Sequence, residues 1–303
     1  MTEFGGPEAL HIVDVPPQPL SPGHVRLRVR AAAINPTDTQ YRAGAYTAYY
    51  PDETAPWIPG MDAAGDVVDV GEGVDHLAVG DLAMAVVVPH GAYCEELVLP
   101  GASVVKAPAG VDAVAASTLP MNGLTARLAL NRMSLRPGQV LAVTGAAGAF
   151  GGYVVQLAKT EGLTVIADAA ESDEELVRSL GADIVVRRGD DVADRIRAEF
   201  PDGVDGLADG SVQGPLVLPA VKDGGAVSTV RGYAGDEQRS VRVFPCLVRE
   251  ISQDRAALDR LRHLAEDGAV TLRVAQTFPA EQASDAHRML ERGGIRGRLV
   301  LTF

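Results

Sequence analysis

The stretch Val140-Leu141-Ala142-Val143-Thr144-Gly145-Ala146-Ala147-Gly148-Ala149-Phe150-Gly151-Gly152 runs on into Tyr153-Val154-Val155-Gln156-Leu157-Ala158-Lys159, and its reading decides the fold. The apolar, β-branched start predicts a buried strand over Val140–Thr144, and apolar positions at helical spacing predict a helix over 151–161. Small residues, with Phe150 the one exception, lie between the two. A pyrophosphate requires bare backbone N–H groups at close range with the positive end of a helix dipole behind them, and larger side chains would block that approach. In dinucleotide-fingerprint register, Ala146, Gly148 and Gly151 take the three glycine slots, with Ala in the first. Gly145 lies one residue earlier, and Ala147, Ala149 and Phe150 complete the segment facing the phosphates. A second apolar run over 164–167 ends on Asp168, 20 residues past Gly148, about where an acid meets an adenosine ribose 2′-hydroxyl. Tight helix–strand packing also selects glycine. The strand before, the helix after and the acid beyond favour nucleotide binding, and the absence of a following Gly-Lys-Ser/Thr excludes a P-loop.

Outward from this cradle, short apolar strands alternate with amphipathic stretches. Strands are expected at 184–186, 206–208 and 226–229, and a further helix at 172–180. That alternation reads as βαβ units and a parallel sheet. The first third differs. It is cut by turns such as Ser21-Pro22-Gly23 and Gly71-Glu72-Gly73, with short strands at 25–29, 65–70, 82–88 and 96–99, as in a compact β domain. After about 267, strand-like runs return at 270–274 and 298–301, flanking a helix over 280–292. The chain is therefore expected to leave the β domain and rejoin it. The expected division is 1–112 with 268–303 for the β domain, and 113–267 for the α/β domain.

Lys and Arg total 27 against 40 Asp and Glu, a net charge of −13. Such a surface repels phosphate backbones and anionic lipid heads, so neither nucleic acid nor a membrane is an expected partner. Cys94 and Cys246 make neither a disulfide framework nor a Cys-x-x-Cys metal site. With no apolar run of spanning length and no charged-then-apolar leader at Met1-Thr2-Glu3, a cytoplasmic enzyme is the expectation.

Several segments resemble the medium-chain dehydrogenase/reductase superfamily, in its quinone oxidoreductase (zeta-crystallin-like) branch. They are Glu3-Phe4-Gly5-Gly6-Pro7-Glu8-Ala9-Leu10, Ala33-Ile34-Asn35-Pro36-Thr37-Asp38, Ile58-Pro59-Gly60-Met61-Asp62-Ala63-Ala64-Gly65, Gly91-Ala92-Tyr93-Cys94-Glu95 and Gly123-Leu124-Thr125-Ala126, with the glycine cradle. The resemblance implies a GroES-like β catalytic domain beside a Rossmann doubly wound parallel sheet, substrate and nicotinamide meeting between them, and a homodimer. Zinc enzymes of the superfamily carry a Cys where this chain reads Asn35, and a four-Cys lobe that is missing here. The six histidines are scattered without ligand spacing, so no metal is expected. Relatives also have a few more residues ahead of Thr2-Glu3-Phe4, which implies either a shortened first strand or a displaced start codon.

For the cofactor, NAD(P)H is implied, and the choice of nucleotide stays open. Asp168-Ala169-Ala170-Glu171-Ser172-Asp173 is acidic and repels a 2′-phosphate, which favours NADH. The family favours NADPH, and Arg188 matches a position where relatives hold that phosphate with a Tyr. By matching to the family motif, Tyr46 is a candidate donor to a developing oxyanion, and Asn35 a candidate for holding ribose or substrate. Thr125 resembles a residue near the nicotinamide. Asp209 ends the fourth strand at the cofactor edge of the sheet, and Phe244, with Val243, is expected over the nicotinamide. The acceptor is then a quinone or similar conjugated carbonyl. An enone or enoyl-thioester of a biosynthetic pathway is the alternative, and an inactive nucleotide-binding protein is a third reading.

Overall fold

The computed structural model describes residues 1–235 and 239–303. The chain divides into two compact units, Met1–Met121 with Arg249–Glu266 and Leu272–Phe303, and Asn122–Val248 with Asp267–Thr271.

The first unit is built on strand β1 (His24–Ala33), followed by helix α1 (Pro36–Arg42) and strands β2 (Asp62–Val70), β3 (Leu82–Val86), β4 (Glu96–Pro100) and β5 (Val104–Lys106), then helix α2 (Ala113–Ala116). Strand β1 pairs antiparallel with both β2 and β4, and two register shifts against β2 bend it. Alternate β1 residues Val25, Leu27 and Val29 enter a core with Val67, Leu97, Leu99 and Val104. This is the inward-facing half of a period-two pattern. Helix α3 (Pro120–Met133) carries the chain into the second unit.

That unit holds β6 (Val140–Thr144), α4 (Ala149–Thr160), β7 (Thr164–Ala169), α5 (Glu174–Ser179), β8 (Ile184–Arg187), α6 (Val192–Glu199), β9 (Val204–Asp209), β10 (Val221–Thr229) and β11 (Arg242–Pro245). The six strands are all parallel, in the order β11-β10-β9-β6-β7-β8. This is the doubly wound Rossmann order, whose direction reverses between β6 and β9. Strands β6, β7 and β9 are almost wholly buried, which is why they read as continuous apolar runs.

The chain then returns to the first unit through α7 (Arg255–Glu266), β12 (Val274–Pro279), α8 (Ala283–Arg292) and β13 (Arg298–Thr302). Strand β13 pairs with β1 and β12. The expected fold class, a GroES-like domain plus a Rossmann domain, is found. Two details differ. Helix α7, expected in the second domain, belongs to the first unit, where the Glu266 carboxylate accepts the Ala109 N–H at 2.9 Å. The strand expected at 270–274 instead spans Val274–Pro279, a sheet edge with only Phe278 buried. Such an edge has no alternation to reveal it. Among the described residues no helix is long and apolar enough to cross a membrane.

Candidate active site

At the carboxyl end of β6, Gly145 adopts φ 67°, a left-handed conformation suited to glycine. A Cβ there would meet the Gly210 carbonyl carbon at 2.8 Å, because the loop after β9 closes directly on the turn. The Gly148 N–H returns to the Gly145 carbonyl at 2.9 Å, and Gly148 then serves as N-cap of α4 without a side-chain cap. The first-turn N–H groups of Ala149, Phe150 and Gly151 have no intrahelical acceptor by geometry and carry the positive end of the helix dipole. At Gly151 a Cβ would lie 2.4 Å from the Gly145 carbonyl oxygen. The turn and the helix are thus in backbone contact, and small residues bring backbone N–H groups together at the sheet's switch point.

Asp168 ends up beside this turn, with its carboxylate accepting the Ala146 N–H at 3.2 Å. It is buried, and desolvation raises its pKa against the pull of that N–H and of Arg188. The next acid along, Glu171, pairs with Arg187 at 3.1 Å. Arg188 donates its backbone N–H to the Ala169 carbonyl and is exposed, its charge acting on the Asp168 carboxylate. Asp209 is spent internally. Its carboxylate takes the Thr144 hydroxyl at 2.8 Å, the Gly214 N–H at 2.8 Å and the Gln213 N–H at 3.2 Å, so it fastens the loop after β9 to β6. Thr125 is buried on α3. Phe244 lies half-buried on the edge strand β11, with the Arg242 guanidinium 5.7 Å from its ring centre.

In the first unit, Asn35 caps α1 and is fully buried. Its backbone N–H goes to the Asp38 carboxylate at 2.8 Å and its side-chain amide to Asp62 at 2.9 Å. Asp62 also takes the Met121 N–H at 2.7 Å and Arg298 Nη2 at 3.3 Å, and Arg298 in turn donates to the Ile34 carbonyl. Asp38 receives the Tyr93 hydroxyl at 3.1 Å, while its other oxygen has no hydrogen-bond partner among the described residues. Burial pushes the Asp38 carboxyl up to about 7, with the charge of Asp62 adding to the shift.

Beyond Tyr93 the chain of contacts continues to His287 and Arg42. Burial, and then the Arg42 charge, lower His287 to about 3, so its ring is neutral. Because Arg42 can only donate, its contact with Nδ1 fixes the His287 proton on Nε2. Every hydrogen bond in the series Arg42, His287, Tyr93, Asp38 therefore points the same way. Sequence reading passed over Asp62, Arg298, Tyr93, Arg42 and His287. The available signal was a charge inside an apolar strand, as in Met61-Asp62-Ala63 and Gly297-Arg298-Leu299, which must find a partner when buried.

Tyr46 lies on the loop after α1 and donates to Gln40 Oε1 at 2.6 Å. With Phe4, Tyr41, Tyr50, Glu53 and Trp57 it lines a cavity of about 220 Å³. Of the two residues expected at the chemistry, Tyr46 thus borders open volume and Asn35 does not. A zinc ion has no donor set in this loop, since Asn35 turns an amide N–H towards Asp62. Among the described residues no three His, Cys, Asp or Glu side chains converge as a metal site.

With this geometry in hand, comparison with known proteins is informative. Residues 21–160 match the alcohol dehydrogenase GroES-like domain family, and residues 180–301 match the zinc-binding dehydrogenase family. Together these cover both units found in the fold. The chain belongs to the medium-chain dehydrogenase/reductase superfamily, in its quinone oxidoreductase branch. It is similar to the rat synaptic vesicle membrane protein VAT-1 homolog, with 36% identity over 77% of this chain, and spans only 55% of that relative's length. It is also similar to an Arabidopsis thaliana chloroplastic NADPH-dependent alkenal/one oxidoreductase, at 29% identity over 99% of this chain and 78% of the relative. Among solved structures, the quinone oxidoreductase from Coxiella burnetii superposes with a TM-score of 0.88 at 28% identity, covering 100% of this chain and 97% of that one. This superfamily chain thus shares its fold with proteins named both for quinone and for alkenal reduction.

Proposed function

We propose that this chain is a reductase that takes NADPH in preference to NADH and reduces a quinone or similarly conjugated carbonyl acceptor. The observation that carries the reading is the cradle at Gly145–Gly151, where a Cβ at Gly145 or Gly151 would strike backbone and where the first-turn N–H groups of α4 have no acceptor within the helix. That arrangement suits a dinucleotide pyrophosphate. The preference for the 2′-phosphate is supported by the adjoining charges. Asp168 points back at Ala146 and is occupied there, Glu171 faces Arg187 at the surface, and Arg188 stands as an exposed cation just past the end of β8. The name of the Arabidopsis relative is consistent with this choice.

Bound NADPH supplies a hydride to the acceptor. The protein's part is to orient and to stabilise. Negative charge arises on the acceptor oxygen, and a hydrogen-bond donor there lowers the barrier. Tyr46 is the candidate donor, its hydroxyl turning from Gln40 Oε1 to the acceptor oxygen. Asn35 acts at one remove. Fixed by Asp62 and Asp38, it holds the start of α1 and hence the loop bearing Tyr46. Asp209 likewise holds the loop that closes over Gly145. An enone acceptor is the second reading, favoured by the same relative's name. Steady-state NADPH oxidation with 1,4-naphthoquinone and with an aliphatic enone tests both. Turnover of the quinone, reduced at least about tenfold in kcat by Tyr46→Phe, is the expected result. Turnover of neither acceptor overturns the proposal.

A further inference from the structure

Arg188 sits where the fold by itself holds a side chain poorly. It follows β8, which ends the order of the six-stranded sheet and pairs only with β7 among the described residues. Exposed loops are more mobile than the strands they leave. Two exposed acids, Asp190 and Asp191, come next after Gly189 and oppose any anion that the Arg188 cation attracts. Yet the Arg188 charge acts on the Asp168 carboxylate, which itself lies against the Ala146 N–H of the cradle. A cation at this end of the cradle is therefore kept in place by something beyond the strand.

One side chain meets both difficulties. Arg195, one turn into α6, donates from Nη1 to the Arg187 carbonyl at 2.7 Å and to the Arg188 carbonyl at 3.3 Å. Its Nη2 donates to the Asp191 carboxylate at 2.7 Å. As a surface pair this last contact adds little stability. Its consequence is placement, since the planar guanidinium fork holds two backbone carbonyls and the nearer acid in one geometry. A second tether reaches the loop from the other side. Gln213 Nε2 donates to the Gly189 carbonyl at 2.9 Å, while its Oε1 accepts the Ser211 hydroxyl at 3.1 Å and its backbone N–H goes to Asp209. Asp209 also takes the Thr144 hydroxyl at the end of β6, so the loop bearing Arg188 is linked to the strand that bears the cradle.

We infer, on the reading of Arg188 proposed above, that Arg195 is a positioning residue for nucleotide choice: it holds the backbone at Arg187 and Arg188 so that the Arg188 guanidinium stands ready for the 2′-phosphate of NADPH, with Gln213 as the second tether. A loop that keeps its binding conformation for only a tenth of the time binds its ligand tenfold more weakly. NADPH and NADH are titrated calorimetrically into the wild type, Arg195→Ala, Arg188→Ala and the double variant, each checked by its melting curve. Arg195→Ala is expected to weaken NADPH by about five- to tenfold and to leave NADH within about twofold. In the Arg188→Ala background the same change is expected to alter NADPH by less than about twofold, because Arg195 acts through Arg188. Gln213→Leu, expected to lower NADPH affinity and spare NADH, carries the test where Arg195→Ala does not fold. An NADPH preference that survives these single changes overturns the inference. So does an equal loss of both nucleotides, or a full loss repeated in the Arg188→Ala background, which would make Arg195 a phosphate contact in its own right. In each of those cases the wild type still prefers NADPH and the reductase reading stands. A wild type without that preference removes the proposed nucleotide choice, and the role of Arg195 with it.

Discussion

Replacing Gly151 by Ala adds one methyl group where the structure has no room for it. The new Cβ lies 2.4 Å from the Gly145 carbonyl oxygen and 2.8 Å from Ala146 Cα. Ordinary contact begins at 3.4 Å, so α4 must retreat about 1 Å from the turn after β6 (3.4 − 2.4 Å). Both obstacles are backbone, so no side-chain rotation relieves the clash. Overpacking of this kind costs about 1–3 kcal/mol of stability, and each kcal/mol lowers the melting temperature by a few degrees in a domain of this size. The same 1 Å retreat spoils the N–H donors that meet a pyrophosphate. Hydrogen bonds to a charged group are worth about 1.5–3 kcal/mol, so losing one weakens NADPH by roughly ten- to a hundredfold. Gly148→Ala is the internal control. Its Cβ would meet the same oxygen at 3.1 Å, a strain of a few tenths of an ångström, on a backbone with φ −73°. Calorimetric titration with NADPH and thermal melting of both variants provide the assay. The reasoning is refuted if Gly151→Ala binds within about twofold of the wild type, or if Gly148→Ala is the more damaging change.

Three further predictions follow from charge placement. Asp38 carries a folded-state pKa of about 7 against an ordinary value of 3.8, so the native state holds the extra proton between those values. Stability is then fully present at about pH 4, falls as pH rises to about 7 and levels off above it; Asp38→Asn flattens that slope in denaturant titrations at several pH values. Arg298→Leu leaves Asp62 buried opposite an uncharged side chain and costs about 3–5 kcal/mol by urea unfolding, of which a second change, Asp62→Leu, restores a part. Arg188→Ala is expected to weaken NADPH about tenfold and to leave NADH within about twofold in parallel titrations, because on the proposed reading only a 2′-phosphate would meet that guanidinium.

The Rossmann half was legible because its strands are buried on both faces. Val140–Thr144 and Thr164–Ala169 are apolar runs bounded by turns, and the fingerprint glycines sit between strand and helix at fixed spacing. The edge strand Val274–Pro279 was not legible, since water covers most of it and no periodicity survives. Nor was the placement of α7. Its buried Leu258 and Leu261 mark an amphipathic helix without saying which unit it packs on, and its contact between Glu266 and Ala109 joins residues 157 apart. The polar network of the first unit was hidden for the same reason. Asp62 and Arg298 are separated by 236 residues, and Tyr93 and His287 by 194, and only the folded sheet brings them together. The motif that makes Asn35 a candidate at the chemistry also places it as the N-cap of α1. Residue type alone does not reveal that its amide faces Asp62.

The most direct test of the account is an equilibrium titration of the purified wild-type protein with NADPH and NADH in parallel, followed by calorimetry without any acceptor present. Saturable binding of both, with NADPH tighter by about tenfold, is the predicted result for a cradle at Gly145–Gly151 flanked by Arg188. Binding of neither nucleotide would mean that the glycines serve helix–strand packing alone, and the reductase reading would fall with the cradle.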